Sequence, residues 1–188
     1  SEQETIVVPL SLFRERPLTE GQPINLEEYD NWLMVRQYRH ALDRAVACLA
    51  ARAHSKHEIE QKLLRVGYRP CTVEMVLYKL EREHLLNDAD FARQWVEARS
   101  GRKMGRSRIA QELRRKGIDA DEAEEALSAI GEDAQLADAI ALAEKAAARA
   151  KSDENPRKTY QRIAAMLARR GFRWDIAKEA LAQVLQAD

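Results

Sequence analysis

The chain has 188 residues, 45% hydrophobic and 33% charged, which is enough apolar side chain to fill a core and enough charge to keep its surface in water. Seven glycines and five prolines exclude a collagen-like or low-complexity chain, and two cysteines, Cys48 and Cys71, exclude a disulfide framework and fit a reducing compartment. Lys+Arg and Asp+Glu balance at 31 each, so net charge names no partner; with no apolar run near the roughly 20 residues of a membrane span and no signal-peptide pattern, a cytoplasmic protein without membrane contact is expected.

In chain order, residues 1–25 form an N-terminal arm. Ile6, Val7, Val8, Leu10, Leu12 and Phe13 are separated by Pro9 and Ser11, and a short strand or a disordered arm fits equally well. Glu20-Gly21-Gln22-Pro23 reads as a turn, and 26–40 as a linking helix, open to continuing into the helix after it.

From there the chain repeats itself. Gly67, Gly117 and Gly171 are anchors. Eight residues before each stands Ile59, Ile109 or Ile163, and four before it Leu63, Leu113 or Leu167. One after it comes Tyr68, Ile118 or Phe172; ten after, Leu77, Leu127 or Leu181; thirteen after, Leu80, Ile130 or Val184. Such fixed offsets are the mark of stacked supersecondary units. The −8 and −4 positions share one helical face, and glycine closes the helix where a Cβ would clash. The spacing predicts helices near 41–53, 56–66 and 72–84, then 88–101, 106–116 and 120–129, then 133–151, 157–170 and 174–186. Ser55 with Glu58 reads as a capping box, and Thr72 and Asp121 as N-caps. Three-helix repeats are thus expected at 41–87, 88–132 and 133–188.

Charge is segregated within this frame. Arg99 to Gly117 holds eight basic residues against Glu112 alone, Asp119 to Asp138 holds eight acidic residues and no basic one, and Lys145 to Arg173 is basic again. On the helix 106–116, with Ile109 and Leu113 facing inward, Arg108, Gln111 and Arg115 lie on the opposite side. Their equivalents are Arg162 and Arg169 in the third repeat, and Glu58 and Arg65 in the first. Arg99, Arg102, Lys103 and Arg106 come from the preceding helix end and turn. Two readings stand: arginines for bidentate contact with nucleic-acid phosphates or an acidic protein surface, or a solubilising face with i,i+4 pairing. Phe91 and Trp95, four apart, read as core ahead of a base-stacking platform.

The residue sets that chemistry requires are absent from the pattern. Gly101 and Gly105 are not followed by Lys-Ser/Thr in phosphate-loop spacing, His40, His54, His57 and His84 have no ligand partners at metal spacing, and Cys48 and Cys71 have no base beside them. The carboxylates of 119–138 fill a helix face. No enzyme activity, catalytic residue, metal or cofactor is expected.

Particular residues then carry a resemblance. Leu85-Leu86-Asn87-Asp88, Phe91-Ala92, Trp95-Val96, Arg99, Gly105, Ile109, Gln111-Glu112-Leu113 and Lys116-Gly117-Ile118 resemble the central signature of the RecX family of bacterial recombination regulators. Leu49, Arg52, Ser55, Glu58, Leu63-Leu64 and Gly67 are similar to that family's first motif, and Glu20-Gly21-Gln22 before Ile24 to an extension some members carry. The resemblance runs from about Leu42 to Val184. It implies an all-α fold, an elongated curved array of three tandem three-helix repeats. It also implies a monomer that binds the RecA recombinase, lodges in the groove of its filament on DNA, and damps ATP hydrolysis, strand exchange and coprotease activity in the SOS response and DNA repair. Members bind DNA too, so single- and double-stranded DNA are expected partners through the basic helices. Arg99, Arg102, Lys103, Arg106, Arg108, Arg115, Arg162 and Arg169 are the expected DNA- or RecA-contacting residues. The acidic segment either faces a basic RecA surface or balances the neighbouring arginines. A helical-repeat DNA-binding module without a recombinase partner is the alternative.

Overall fold

The computed structural model of the protein describes residues 7–150 and 155–185; Ile6 of the expected arm and the expected helix ends at 151 and 186 lie outside them. Among the described residues there are ten helices and no strand. Two compact units divide the chain between Asp88 and Ala89.

The first unit holds α1 (Leu10–Glu15), α2 (Leu26–Ala51), α3 (Lys56–Val66) and α4 (Pro70–Arg82). The expectation of a strand or disorder in the arm fails at α1. Pro9, at φ −54°, opens the helix, and its carbonyl accepts from Leu12 N–H (2.9 Å) and Phe13 N–H (3.0 Å). Leu12 is fully buried against Tyr29 and Leu33 of α2. Glu15 binds Arg36 (3.2 Å) and His40 (2.9 Å), so apolar contact and charge both hold α1 on α2. The linking helix and the first repeat's opening helix are one continuous α2, started by Asn25, whose side chain accepts from Glu28 N–H.

Helix α3 begins with the expected capping box. Ser55 Oγ accepts from Glu58 N–H, and the Glu58 carboxylate accepts from Ser55 N–H; Lys56 N–H, the next donor, goes to Asp88 Oδ1 at 2.8 Å. It ends at Gly67, φ +96°. Thr72 is not the N-cap of α4. The helix starts earlier, with Pro70 at its first position, and Thr72 is buried in the first turn. His54 is buried as well; its Nδ1 sits 2.9 Å from Arg52 O, and desolvation lowers its pKa below 6.5. Ile59, Leu63, Tyr68, Val73, Val76, Leu77 and Leu80 form the unit's core with Ala41 and Ala45 of α2.

The second unit contains α5 (Asp88–Ser100, its first residue being the last of the first unit), α6 (Arg106–Arg115), α7 (Ala120–Ser128), α8 (Glu132–Ala147), α9 (Pro156–Arg170) and α10 (Trp174–Leu185). Phe91, Val96, Ile109, Leu113, Ile118, Leu127 and Ile130 make one core cluster; Ile163, Leu167, Phe172 and Leu181 make another with the alanines Ala139, Ala143, Ala177 and Ala180. Asp121 is not the N-cap of α7: Asp119 is, and its carboxylate accepts from Asp121 N–H at 2.9 Å.

Within this unit the end of α9 meets the start of α6. Gly105 N–H donates to Arg170 O (2.9 Å) and Ser107 N–H to Gly171 O (3.2 Å), so amides that α6 leaves unpaired meet carbonyls that α9 leaves unpaired. Only glycines allow this approach. A Cβ on Gly105 would stand under 3.0 Å from the Gly171 carbonyl and Phe172 N, and one on Gly171 (φ +86°) under 3.0 Å from Arg108 backbone and Cβ.

Candidate functional site: a basic surface on the second unit

All eight expected contact residues lie in the second unit, and the fold sorts them by what already holds their charge. Arg99, at the end of α5, donates from Nε to Glu112 Oε2 at 2.6 Å. The same oxygen accepts from Trp95 Nε1 at 3.1 Å, and Arg108 Nε lies 3.5 Å from Oε1. The Trp95 ring stacks on Phe91 and lies near two cations, Arg99 Cζ at 4.0 Å and Lys116 Nζ at 4.1 Å. Burial pushes the Glu112 carboxyl up, but the hydrogen bond and charge of Arg99, then Trp95 and Arg108, outweigh it and hold its pKa below the ordinary 4.5. Arg99 and Glu112 are only 20% and 17% exposed, so this network serves the packing of α5 on α6.

Lys103 and Arg106 are likewise engaged. Lys103, in a left-handed turn at φ +55°, pairs with Asp138 at 3.1 Å. Arg106 pairs with Glu124, donates to Leu127 O at 3.2 Å, and gives its backbone N–H to the buried Gln135 side chain at 2.9 Å. Part of the acidic segment balances neighbouring cations: Glu124 and Asp138 take Arg106 and Lys103, Glu132 lies 3.4 Å from Arg173, and Asp119 caps α7.

The remaining residues face outward. Arg108 is exposed, lies beside Glu112, and extends Nη1 to Arg169 O at 3.4 Å, which links the outer faces of α6 and α9. Arg162, two turns before Arg169 on α9, donates to Ala146 O at 3.4 Å. Arg102, Arg115 and Arg169 are exposed, and their guanidinium groups meet no carboxylate among the described residues.

Two residues that sequence reasoning passed over complete the arrangement. Arg170 Nη1 donates to Arg102 O (3.2 Å) and Lys103 O (3.4 Å), holding the α5–α6 turn against α9. Gln135 caps α6 from α8 across 29 residues of chain. Neither carries a local sequence signal, since their partners are distant in the chain. Among the described residues no three His, Cys, Asp or Glu side chains converge as metal ligands, and no helix is long and apolar enough to cross a membrane.

Comparison with known proteins agrees with this architecture. Family models described as the first, second and third three-helix domains of RecX match residues 41–80, 87–127 and 133–181. The chain is 38% identical over 141 residues to a regulatory protein RecX of Mycobacteroides abscessus, covering 71% of this chain and 68% of the relative. It is 36% identical over 148 residues to that of Prosthecochloris aestuarii, covering 78% and 95%. A crystal structure of RecX from Lactobacillus salivarius superimposes with a TM-score of 0.73 at 26% identity, covering 82% of this chain and 99% of that one.

Proposed function

Since this chain belongs to the RecX family of regulatory proteins, we propose that it binds RecA and the RecA filament on DNA, and that it lowers the filament's ATP hydrolysis, strand exchange and coprotease activity in the SOS response. It does so as a cytoplasmic monomer with no chemistry of its own, by binding one protomer arrangement better than another and shifting the population by that difference. Arg102, Arg115 and Arg169 supply the primary contacts to DNA phosphate or to acidic RecA surface. Arg108 and Arg162 contribute at the margin, while Arg99, Lys103 and Arg106 act by holding the surface in shape.

The observation that supports this division is the equivalence of Arg115 and Arg169. Each stands two residues before its repeat's closing glycine, each is exposed, and neither guanidinium meets a carboxylate among the described residues. Charges kept off internal partners at repeated positions suit an external anionic surface.

The test is ATP hydrolysis by RecA filaments preformed on single-stranded DNA, with the protein titrated in. Hydrolysis is expected to fall, and the folded double variant Arg115→Glu/Arg169→Glu to need at least about tenfold more protein for the same effect. Wild type without effect at any concentration, or a folded double variant as potent as wild type, overturns the reading. DNA binding that persists without any effect on RecA favours a DNA-binding module acting alone.

A further inference from the structure

The second unit has one large apolar side chain that its core does not take up. Trp174, the first residue of α10, shares a helical register with Ala177 and Leu181, which are 2% and 0% exposed, yet Trp174 is 63% exposed. Every other exposed large hydrophobic side chain among the described residues belongs to the first unit. No ring, cation or hydrogen-bond partner meets its indole among the described residues.

Its position is fixed by the residues that precede it. Phe172, 5% exposed, anchors the link between α9 and α10, and Gly171 is held by Ser107 N–H. Trp174 lies three residues beyond Gly171, hence within about 11 Å of it by Cα separation, and so near the end of α9 that carries Arg169. The local carboxylates are occupied: Arg173 holds Asp175 at 2.6 Å and reaches Glu132 at 3.4 Å. An exposed indole thus follows an uncompensated guanidinium by five residues of chain, and the adjoining carboxylate, Asp175, is held by Arg173.

We infer that Trp174 is a stacking platform for an unpaired nucleobase, and that the surface it shares with Arg169 takes single-stranded in preference to double-stranded nucleic acid. A duplex keeps its bases stacked on one another and offers this ring nothing, whereas a single strand offers a free base face together with its phosphates. The inference rests on the DNA-contact half of the proposed function.

The experiment measures fluorescence anisotropy of a fluorescein-labelled oligothymidylate and of a duplex of equal length, with wild type, Trp174→Ala, Trp174→Phe and Arg169→Glu. Trp174→Ala is expected to weaken binding of the single strand by about 5- to 140-fold, the range for loss of one stacked base, and of the duplex by less than about twofold. Trp174→Phe should recover most of the loss, and the slope of log affinity against log salt should be unchanged, because no phosphate contact is removed. Arg169→Glu should weaken both ligands and lessen that slope. Unchanged single-strand affinity in Trp174→Ala, or equal losses for both ligands, overturns the stacking role and leaves the arginine surface standing. Failure of wild type to bind either ligand at low salt overturns the DNA-contact half of the proposed function and the stacking role together, and leaves the arginines' contact with RecA to the ATP-hydrolysis test.

Discussion

Helices α3 and α6 occupy the same place in consecutive repeats, but their first turns are completed in opposite ways. Twelve residues before the closing glycine, α3 has Ser55 and α6 has Gly105. Ser55 caps its own helix through the reciprocal bonds with Glu58, and Asp88 takes the next donor. Gly105 has no side chain to offer; its own N–H and that of Ser107 go to the carbonyls of Arg170 and Gly171, and Arg106 N–H goes to Gln135. The first arrangement is completed within the first unit, by the helix's own cap and by Asp88 at the start of α5. The second joins the last two repeats, and it requires the absence of a side chain at two positions. One N-cap position therefore serves as a stop in one repeat and as a joint in the next.

Reciprocal substitutions break the comparison most sharply. Gly105→Ser or Gly171→Ala places a Cβ inside neighbouring backbone, and either is expected to destabilise the protein by about 3 kcal/mol or more in urea unfolding. In contrast, Ser55→Gly should cost only a few tenths of a kcal/mol, about what a Ser-to-Gly change at an N-cap costs, and Ser55→Ala about 1 kcal/mol. Comparable losses at Gly105 and Ser55 would show that the joint is looser than its hydrogen bonds indicate.

Glu112→Gln is expected to come next, at about 2 kcal/mol, since in a partly buried site it removes the negative charge that Arg99 and Arg108 face and replaces one accepting oxygen with an NH2 donor. The sign of its pH dependence is set by its lowered pKa. The stability it contributes is present in full above the unfolded carboxyl's ordinary 4.5 and is lost as pH falls through the folded value. Wild type should thus lose more stability than Glu112→Gln over that acid range, and equal acid limbs would count against the network. The smallest effect is expected at Lys103→Met. An ion pair whose lysine is 45% exposed should contribute no more than about 0.5 kcal/mol, and 1 M salt should erase even that difference.

The core was readable in the sequence because its determinants are local. The residues at −8 and −4 from each closing glycine, and those just beyond it, are 6% exposed or less in all three repeats, and Gly67 and Gly171 take the left-handed conformation that the pattern requires. The caps of α4 and α7 were misplaced by a few residues because Pro70 and Asp119 start those helices earlier than Thr72 and Asp121 would. The arm was misread because Leu12 folds into a helix only by docking on Tyr29 and Leu33, a contact that its own hexapeptide does not encode. The arginine stripe was legible as a pattern of charge but not as a division of labour. Whether Arg106 faces solvent or Glu124 depends on a partner 18 residues away, and Lys103 meets Asp138 only because α8 packs beside the turn.

The contact between the end of α9 and the start of α6 also has an electrical consequence. Each helix carries about half a positive charge at its first turn and half a negative charge at its last. Here the negative end of one abuts the positive end of the other, so those partial charges cancel where they meet and the two dipoles lie in series. The first turn of α6 is thereby withdrawn as a seat for a phosphate, a role such helix starts often fill. At this joint, binding of an anion then falls to the side-chain cations around it, with no part left for the backbone amides that start α6.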